Sequence, residues 1–373
     1  MVACLRLFVF MRLLMPGSLN RRSFFRGSAM LALAAYASAC GAPAAAPSAA
    51  PTSLSATDRA LLPLIQSGTA GPTTVPVSSA APMPTATTLV STPAPTATLL
   101  PVSVQFDGQR ALQHAAAQMQ WVPRDTGSPG WQQCGGYIAA QLAEPGWAVE
   151  DQFFDYKGVR CRNIVGKRGS GPQIIIGAHY DSRRRADQDP SPAKRNQPVP
   201  AGNDGASGVA VLLELARVLQ PEKLGHEIWL AAFDAEDNGD LDGWEWIVGS
   251  TYMANSLTQA PTAVVVVDMI GDADQQIYYE QNSDVVIREA IGNVARELGY
   301  TSFVPQVRYA ITDDHIPFLQ RGVRAVDLID FDYPYWHTTA DTLDKISAAS
   351  LAAVGQTLEA WLQRGAPGTA PSN

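Results

Sequence analysis

Four consecutive valines, Val264 to Val267, end in Asp268. A β-branched run without polar alternation predicts a strand buried on both faces, as in parallel-rich sheets covered by helices. Packing gives no reason to end such a strand in a carboxylate. The pattern recurs. Ile174-Ile175-Ile176 leads to His179, Tyr180 and Asp181, and the apolar run Ile228 to Phe233 leads to Asp234, Ala235, Glu236 and Asp237. Asp204 lies in Gly202-Asn203-Asp204-Gly205-Ala206-Ser207-Gly208, between a strand-like and a helix-like run, and His337 follows Tyr335 and Trp336.

Strand patterns at Trp147–Phe154, Val159–Val165, Gln173–Ala178, Glu227–Phe233, Ala263–Asp268 and Ala325–Phe331 alternate with helical patterns at Gln109–Gln120, Gln132–Leu142, Val209–Leu219, Val285–Leu298 and Ala348–Gln363. Lys157-Gly158 marks a hairpin turn. This alternation predicts an α/β fold, a three-layer α/β/α sandwich with a mixed, mostly parallel central sheet. In such sheets, sites form at the carboxyl ends of the strands, where the His and acidic residues fall. One catalytic domain is expected over residues 105–365, with a disordered tail at 366–373.

The first forty residues differ from the rest. They hold five arginines and no acid. Asn20-Arg21-Arg22-Ser23-Phe24-Phe25-Arg26 reads as a twin-arginine export signal, and Ala29 to Ala39 supplies an apolar region too short to span a bilayer. Ala37-Ser38-Ala39-Cys40 has the form of a lipoprotein cleavage site, with Cys40 as the lipidated residue. Residues 41–104 are rich in Ala, Pro, Thr and Ser, with Asp58 and Arg59 as the only charges. Such a segment buries too little apolar surface to offset its ordering entropy and reads as a tether. The expected location is the outer face of the membrane, held by lipid alone, or outside the cell.

Without the first forty residues, 22 basic residues face 35 acidic ones, a net charge of −13. A nucleic-acid partner is therefore excluded from the expectations. Cys134 and Cys161 lie in the expected folded part, where an oxidising compartment permits a disulfide; buried free thiols are the alternative.

The whole chain has five histidines: His114, His179, His226, His315 and His337. In an extended segment the His179-x-Asp181 spacing puts both side chains on one face, so the carboxylate is able to orient the imidazole. Alone, this is more often a structural pair. Adjacent Glu236 and Asp237 repel unless a cation holds them, which leaves Glu236 free as a base if Asp237 binds metal. The bland alternative is a solvated acidic loop with Asp240 and Asp242. Arg183-Arg184-Arg185 has the charge to bind a substrate carboxylate, but a solvated loop paired with Asp187 and Asp189 is the preferred reading.

Together, His179-Tyr180-Asp181-Ser182, Asn203 to Gly208, Phe233 to Asp237, Asp268-Met269-Ile270-Gly271 and His337-Thr338-Thr339-Ala340-Asp341-Thr342 resemble the zinc aminopeptidase and glutaminyl cyclase family, from about Gln109 to the last helix. The resemblance implies one or two zinc ions. His179 and Asp268 would bind one, Asp237 and His337 the other, and Asp204 would bridge them. Asp181 would orient His179 and Glu236 would be the base. Asp237 stands where the family more often has Glu, and its shorter arm is expected to shift or weaken that position. Thr312-Asp313-Asp314-His315-Ile316-Pro317-Phe318 and Tyr335-Trp336-His337 resemble the glutaminyl-peptide cyclotransferase branch. This implies Trp336 in the substrate pocket and Asp313 in the proton network. Trp244 is taken as a further pocket residue, with Trp246 as the alternative.

The leading expectation is a zinc enzyme acting on peptide or protein N-termini, converting N-terminal Gln to pyroglutamate. An aminopeptidase is the near alternative, and an aromatic pocket with Trp336, Tyr333 and Tyr335 favours the cyclase. A non-catalytic surface domain and a hydrolase acting on another amide are further alternatives. An intact Glu236 with five ligands argues against the surface domain.

Overall fold

The computed structural model describes residues 103–370. The expected export signal, Cys40 and nearly all of the tether lie outside the described residues. The strands are β1 (Ala148–Tyr156), β2 (Val159–Gly169), β3 (Gln173–His179), β4 (Glu227–Phe233), β5 (Ala263–Asp268), β6 (Ile277–Glu280), β7 (Phe303–Tyr309) and β8 (Ala325–Ile329). Six form one sheet in the order β1-β2-β4-β3-β5-β8, and β6 pairs with β7. Within the main sheet β1 pairs antiparallel with β2 and β2 antiparallel with β4, while β4, β3, β5 and β8 are mutually parallel.

The helices are α1 (Gly108–Gln118), α2 (Pro129–Ala143), α3 (Ala206–Val218), α4 (Val248–Ser256), α5 (Val285–Glu297), α6 (Ile316–Gln320) and α7 (Ala348–Gln363). Ser128 starts α2 by accepting from Trp131 N, with Pro129 in the first turn, and Asp284 starts α5 by accepting from Val286 and Ile287 N. A side-chain acceptor there satisfies amides that have no partner within the helix. Helices α1, α2, α3, α5 and α7 cover the sheet face that carries Ile174, Ile176, Val265 and Val267. Helices α4 and α6 cover the other, with Ile175, Val264 and Val266. All four valines are buried, so the strand is apolar on both faces because helices lie on both.

Three expectations change. Val104 packs on the core, and the tail is ordered through Thr369: Trp361 Nε1 donates to Pro367 O (3.0 Å), and Ala366 and Thr369 are buried. Cys134 and Cys161 are free thiols in separate apolar clusters, Cys134 on the buried side of α2 and Cys161 beside Trp244. Burial pushes the Cys134 thiol up to about 11, the value of an inert group. Strands β6 and β7 and helices α4 and α6 are additional to the sequence reading; α4 has almost no amphipathic signature in GSTYMANS. No helix among the described residues is long and apolar enough to cross a membrane.

Candidate metal centre and active site

The carboxyl ends of β3, β4 and β5 deliver His179, the turn Asp234 to Asp237, and Asp268 to one place. Asp204 arrives from the turn before α3, where a helix N-terminus favours a carboxylate. Two glycines permit this. Gly205 has φ +102°, and a Cβ there would lie 2.9 Å from Asp181 O; a Cβ on Gly208 would lie 2.4 Å from Val267 O. The start of α3 therefore rests directly on β5, as a larger residue would not allow.

His179 Nε2 lies 3.1 Å from Asp204 Oδ1 and 3.2 Å from Asp268 Oδ1. His337 Nε2 lies 2.9 Å from Asp237 Oδ1 and 3.6 Å from Asp204 Oδ2. The structure thus brings together the five proposed ligands as two buried triads that share Asp204. Ligands at the usual zinc distances, in a tetrahedron, stand roughly 3.3 Å from one another. Asp204 Oδ2 and Asp237 Oδ2 are buried without a hydrogen-bond partner. Spacing, donor type and orphaned oxygens all fit zinc.

Electrostatics point the same way. Burial pushes the Asp268 carboxyl up to about 7 and Asp237 to about 6, and Asp204 adds repulsion to both. Burial also raises Glu236 well above the carboxylate range, with Asp237, Asp314 and Asp313 pushing the same way against the opposing pull of His179. So many carboxylates in one dry site call for a cation.

Asp181 is a hub. Its Oδ1 accepts from Glu236 N (3.0 Å), and Oδ2 accepts from Asp237 N, Asn238 Nδ2 (both 3.3 Å) and Thr126 Oγ1 (3.4 Å). His179 Nδ1 is 3.7 Å from Asp181 Oδ1, longer than a hydrogen bond. The carboxylate therefore fixes the Glu236-Asp237 turn by direct bonds and faces the imidazole through charge. Strain gathers here: Ala235, Met269 and His337 all have positive φ, at 58°, 46° and 54°.

Several positioning residues carried no sequence signal beyond membership of a motif. Asp341 Oδ1 accepts from Asn203 N (2.8 Å) and Tyr333 Oη (2.7 Å), and its Oδ2 accepts from Asp204 N (3.1 Å). Asn203 in turn accepts from Gly271 N (2.7 Å) and donates to Met269 O (3.1 Å), tying the Asp204 turn to the end of β5. Asp341 already appeared in His337-Thr338-Thr339-Ala340-Asp341, but nothing in that spacing predicts its partner.

A cavity of about 270 Å³ opens onto the triads. Glu236, Asp313, Trp336, Trp246, Ile311 and Phe331 line it. Trp336 stacks on His337 at 3.7 Å between ring centroids, and Trp246 lies parallel to the same imidazole at 5.9 Å. Trp244 is not in this wall: it is buried against Phe154, Cys161 and Val248, with Tyr156 edge-on. Residues 244–246 belong to no strand, the two tryptophans lie in different surroundings, and Trp246 is the pocket residue. Neither Tyr333 nor Tyr335 lines the cavity; Tyr333 is taken up by Asp341. Asp313 also belongs to a buried cluster with His315 and Asp327, and His315 Nε2 is 3.3 Å from Glu280 Oε2. Burial pushes Glu280 up, but His315 and the N–H groups of Asn282 and Ile311 outweigh it and hold the carboxyl at about 2.

Comparison with known proteins places this geometry. Residues 163–362, more than half of the chain, match the model of peptidase family M28. A glutaminyl-peptide cyclotransferase of Boiga dendrophila is 26% identical over 290 residues, covering 65% of this chain and 77% of the relative. The crystal structure of Bacteroides thetaiotaomicron glutaminyl cyclase bound to N-acetylhistamine superposes with a TM-score of 0.66 at 30% identity, covering 70% of this chain and 98% of that one. A Zn-dependent exopeptidase from Parabacteroides distasonis gives 0.65 at 30%, covering 70% and 99%. Family and fold relatives thus indicate zinc as the cation that the two triads fit. The chain belongs to peptidase family M28.

Proposed function

We propose that this protein is a zinc-dependent glutaminyl-peptide cyclotransferase that acts on peptide or protein N-termini. One observation carries the reading: the cavity beside the triads is small, walled by Trp246, Trp336, Phe331 and Ile311, and has Glu236 and Asp313 in its polar side. An apolar wall of this kind excludes water and suits an internal attack over hydrolysis. Asp204, Asp237 and His337, or these with His179 and Asp268, would hold the zinc, which when bound would supply Lewis acidity toward the γ-carboxamide oxygen.

The chain's own groups do the rest. The aromatic walls hold the glutamine side chain folded toward its α-amine. The amine nitrogen attacks the side-chain carbonyl carbon, forming the ring C–N bond. Glu236 takes a proton from that nitrogen and delivers it to the amide nitrogen, so the C–N bond breaks and ammonia leaves. A raised Glu236 suits a group that must both accept and return a proton. Asp313 lies in the same wall, beside that path.

A second reading, an aminopeptidase, is favoured by the completeness of both triads. There Glu236 would deprotonate an attacking water. To separate the two, zinc-loaded protein is incubated with a Gln-initiated peptide and a Leu-initiated amide. Ammonia from the first alone supports the cyclase, and leucine from the second supports the peptidase. Silence toward both, unchanged by Glu236→Gln, overturns both. We also propose lipid attachment at Cys40, on the strength of Ala37-Ser38-Ala39-Cys40 and the tether; the mass of the exported N-terminal peptide tests it.

A further inference from the structure

Arg183 contradicts the solvated reading of its loop. The residue is 2% exposed, whereas Arg185 is half-buried and pairs with exposed Asp242. Arg183 Nε and Nη2 grip Asp187 at 2.6 and 2.9 Å, and Nη1 donates to Asp237 O (2.8 Å) and Gly239 O (3.2 Å). The same plane lies over the Trp246 ring, 4.8 Å from its centroid. Asp187 Oδ1 is also 3.8 Å from His337 Nδ1.

We infer that Arg183 is a positioning residue that fixes Trp246 as the pocket wall, and that it thereby sets how tightly the substrate's first side chain is held. The inference rests on the reading of the cavity as the substrate site. Trp246 is only half-buried, with one polar tie, Nε1 to Asp240 Oδ2 at 3.2 Å. An indole so placed swings freely unless a face is covered. Gly239 leaves the space it occupies, since a Cβ there would lie 2.1 Å from Trp246 Cδ2. Arg183 holds the carbonyl of that same Gly239, together with that of Asp237 two residues before it. A planar fork with five donors makes these contacts at once; a lysine ammonium makes one or two and does not stack.

The test uses the full-length, zinc-loaded chain with Arg183→Lys, Trp246→Ala and the double variant, and Arg185→Ala as control. Arg183→Lys is expected to raise KM for a Gln-initiated peptide about tenfold while kcat stays within about threefold, the signature of lost uniform binding. In the Trp246→Ala background the same substitution is expected to change KM less than about twofold. An equal rise in both backgrounds overturns the inference, because Arg183 would then act elsewhere. Acrylamide quenching of Trp246, taken as the difference from Trp246→Phe, gives a readout independent of turnover: it is expected to rise in Arg183→Lys and stay fixed in Arg185→Ala. If Arg183→Lys fails to fold, Asp187→Asn, which loosens the fork and keeps the guanidinium, takes its place in both measurements. Should the wild type turn over neither substrate, the functional reading fails and quenching alone decides: unchanged quenching in the variant overturns the brace.

Discussion

Asp181→Asn removes one charge and no volume. Its carboxylate accepts from two backbone amides, an Asn side chain and a Thr hydroxyl, all inside the protein. The amide has one oxygen. With that oxygen toward Glu236 N, the NH₂ meets Asp237 N, Asn238 Nδ2 and Thr126 Oγ1. Turned the other way, it meets Glu236 N and faces His179. Either way a buried N–H loses a charged acceptor, a loss of about 1.5–3 kcal/mol. Relief of repulsion on Asp234, whose carboxyl burial raises and Asp181 raises further, offsets part of this. A net destabilisation of about 2 kcal/mol is expected from urea unfolding of the chelated protein. Zinc affinity should fall separately, by about 10–100-fold, because the imidazole loses the charge behind Nδ1. Competition against a chromophoric chelator at pH 7 measures it. Zinc affinity within about twofold of wild type, with stability reduced, would refute the role assigned to that charge across the 3.7 Å gap.

Glu236→Gln should retain zinc and lose activity by about 10²–10⁴-fold, read by steady-state kinetics alongside metal analysis. Chelation should lower thermal stability and zinc should restore it, by about 4 kcal/mol at a free concentration 1,000-fold above Kd, seen as a dose-dependent Tm. Asp330, which is not among the proposed ligands, is pushed up to about 7 by burial, with Asp272 and Asp332 adding repulsion. Its folded pKa thus exceeds its unfolded value, near 3.9. The unfolded chain releases this proton first, so stability should fall as pH rises between about 4 and 7, by at most about 4 kcal/mol. Asp330→Asn should flatten that slope in urea titrations of the chelated protein, and an unchanged slope would count against it.

The sheet was readable because its centre is written in unbroken apolar runs, each ending in a chemically distinctive residue. Val264 to Val267 and Asp268 state both the burial and the site. The edges were harder. β7 carries Pro, Gln and Arg with mostly exposed positions, and α4 lacks an apolar stripe, so no period marks either. In the site, ligands were legible through residue type, but wall residues were not. Trp244 and Trp246 are two apart, and so are Arg183 and Arg185, yet one of each pair serves the site while the other does not. Neither pair lies in a strand, so the rule of alternating faces does not apply to it. Asp341 shows a different limit: its role depends on Asn203 and Asp204, far away in sequence.

The valine run has a cost that its burial conceals. Because β5 is apolar on both faces, a slip of one residue exchanges valine for valine and forfeits little hydrophobic burial. Register is weakly specified wherever the two faces are alike. What distinguishes the correct alignment is Asp268, which a single-residue slip would turn to the far face and move by about 3.3 Å, away from His179. The metal centre therefore acts as a proofreader of strand alignment, rewarding the one pairing of β3 with β5 in which histidine and carboxylate meet.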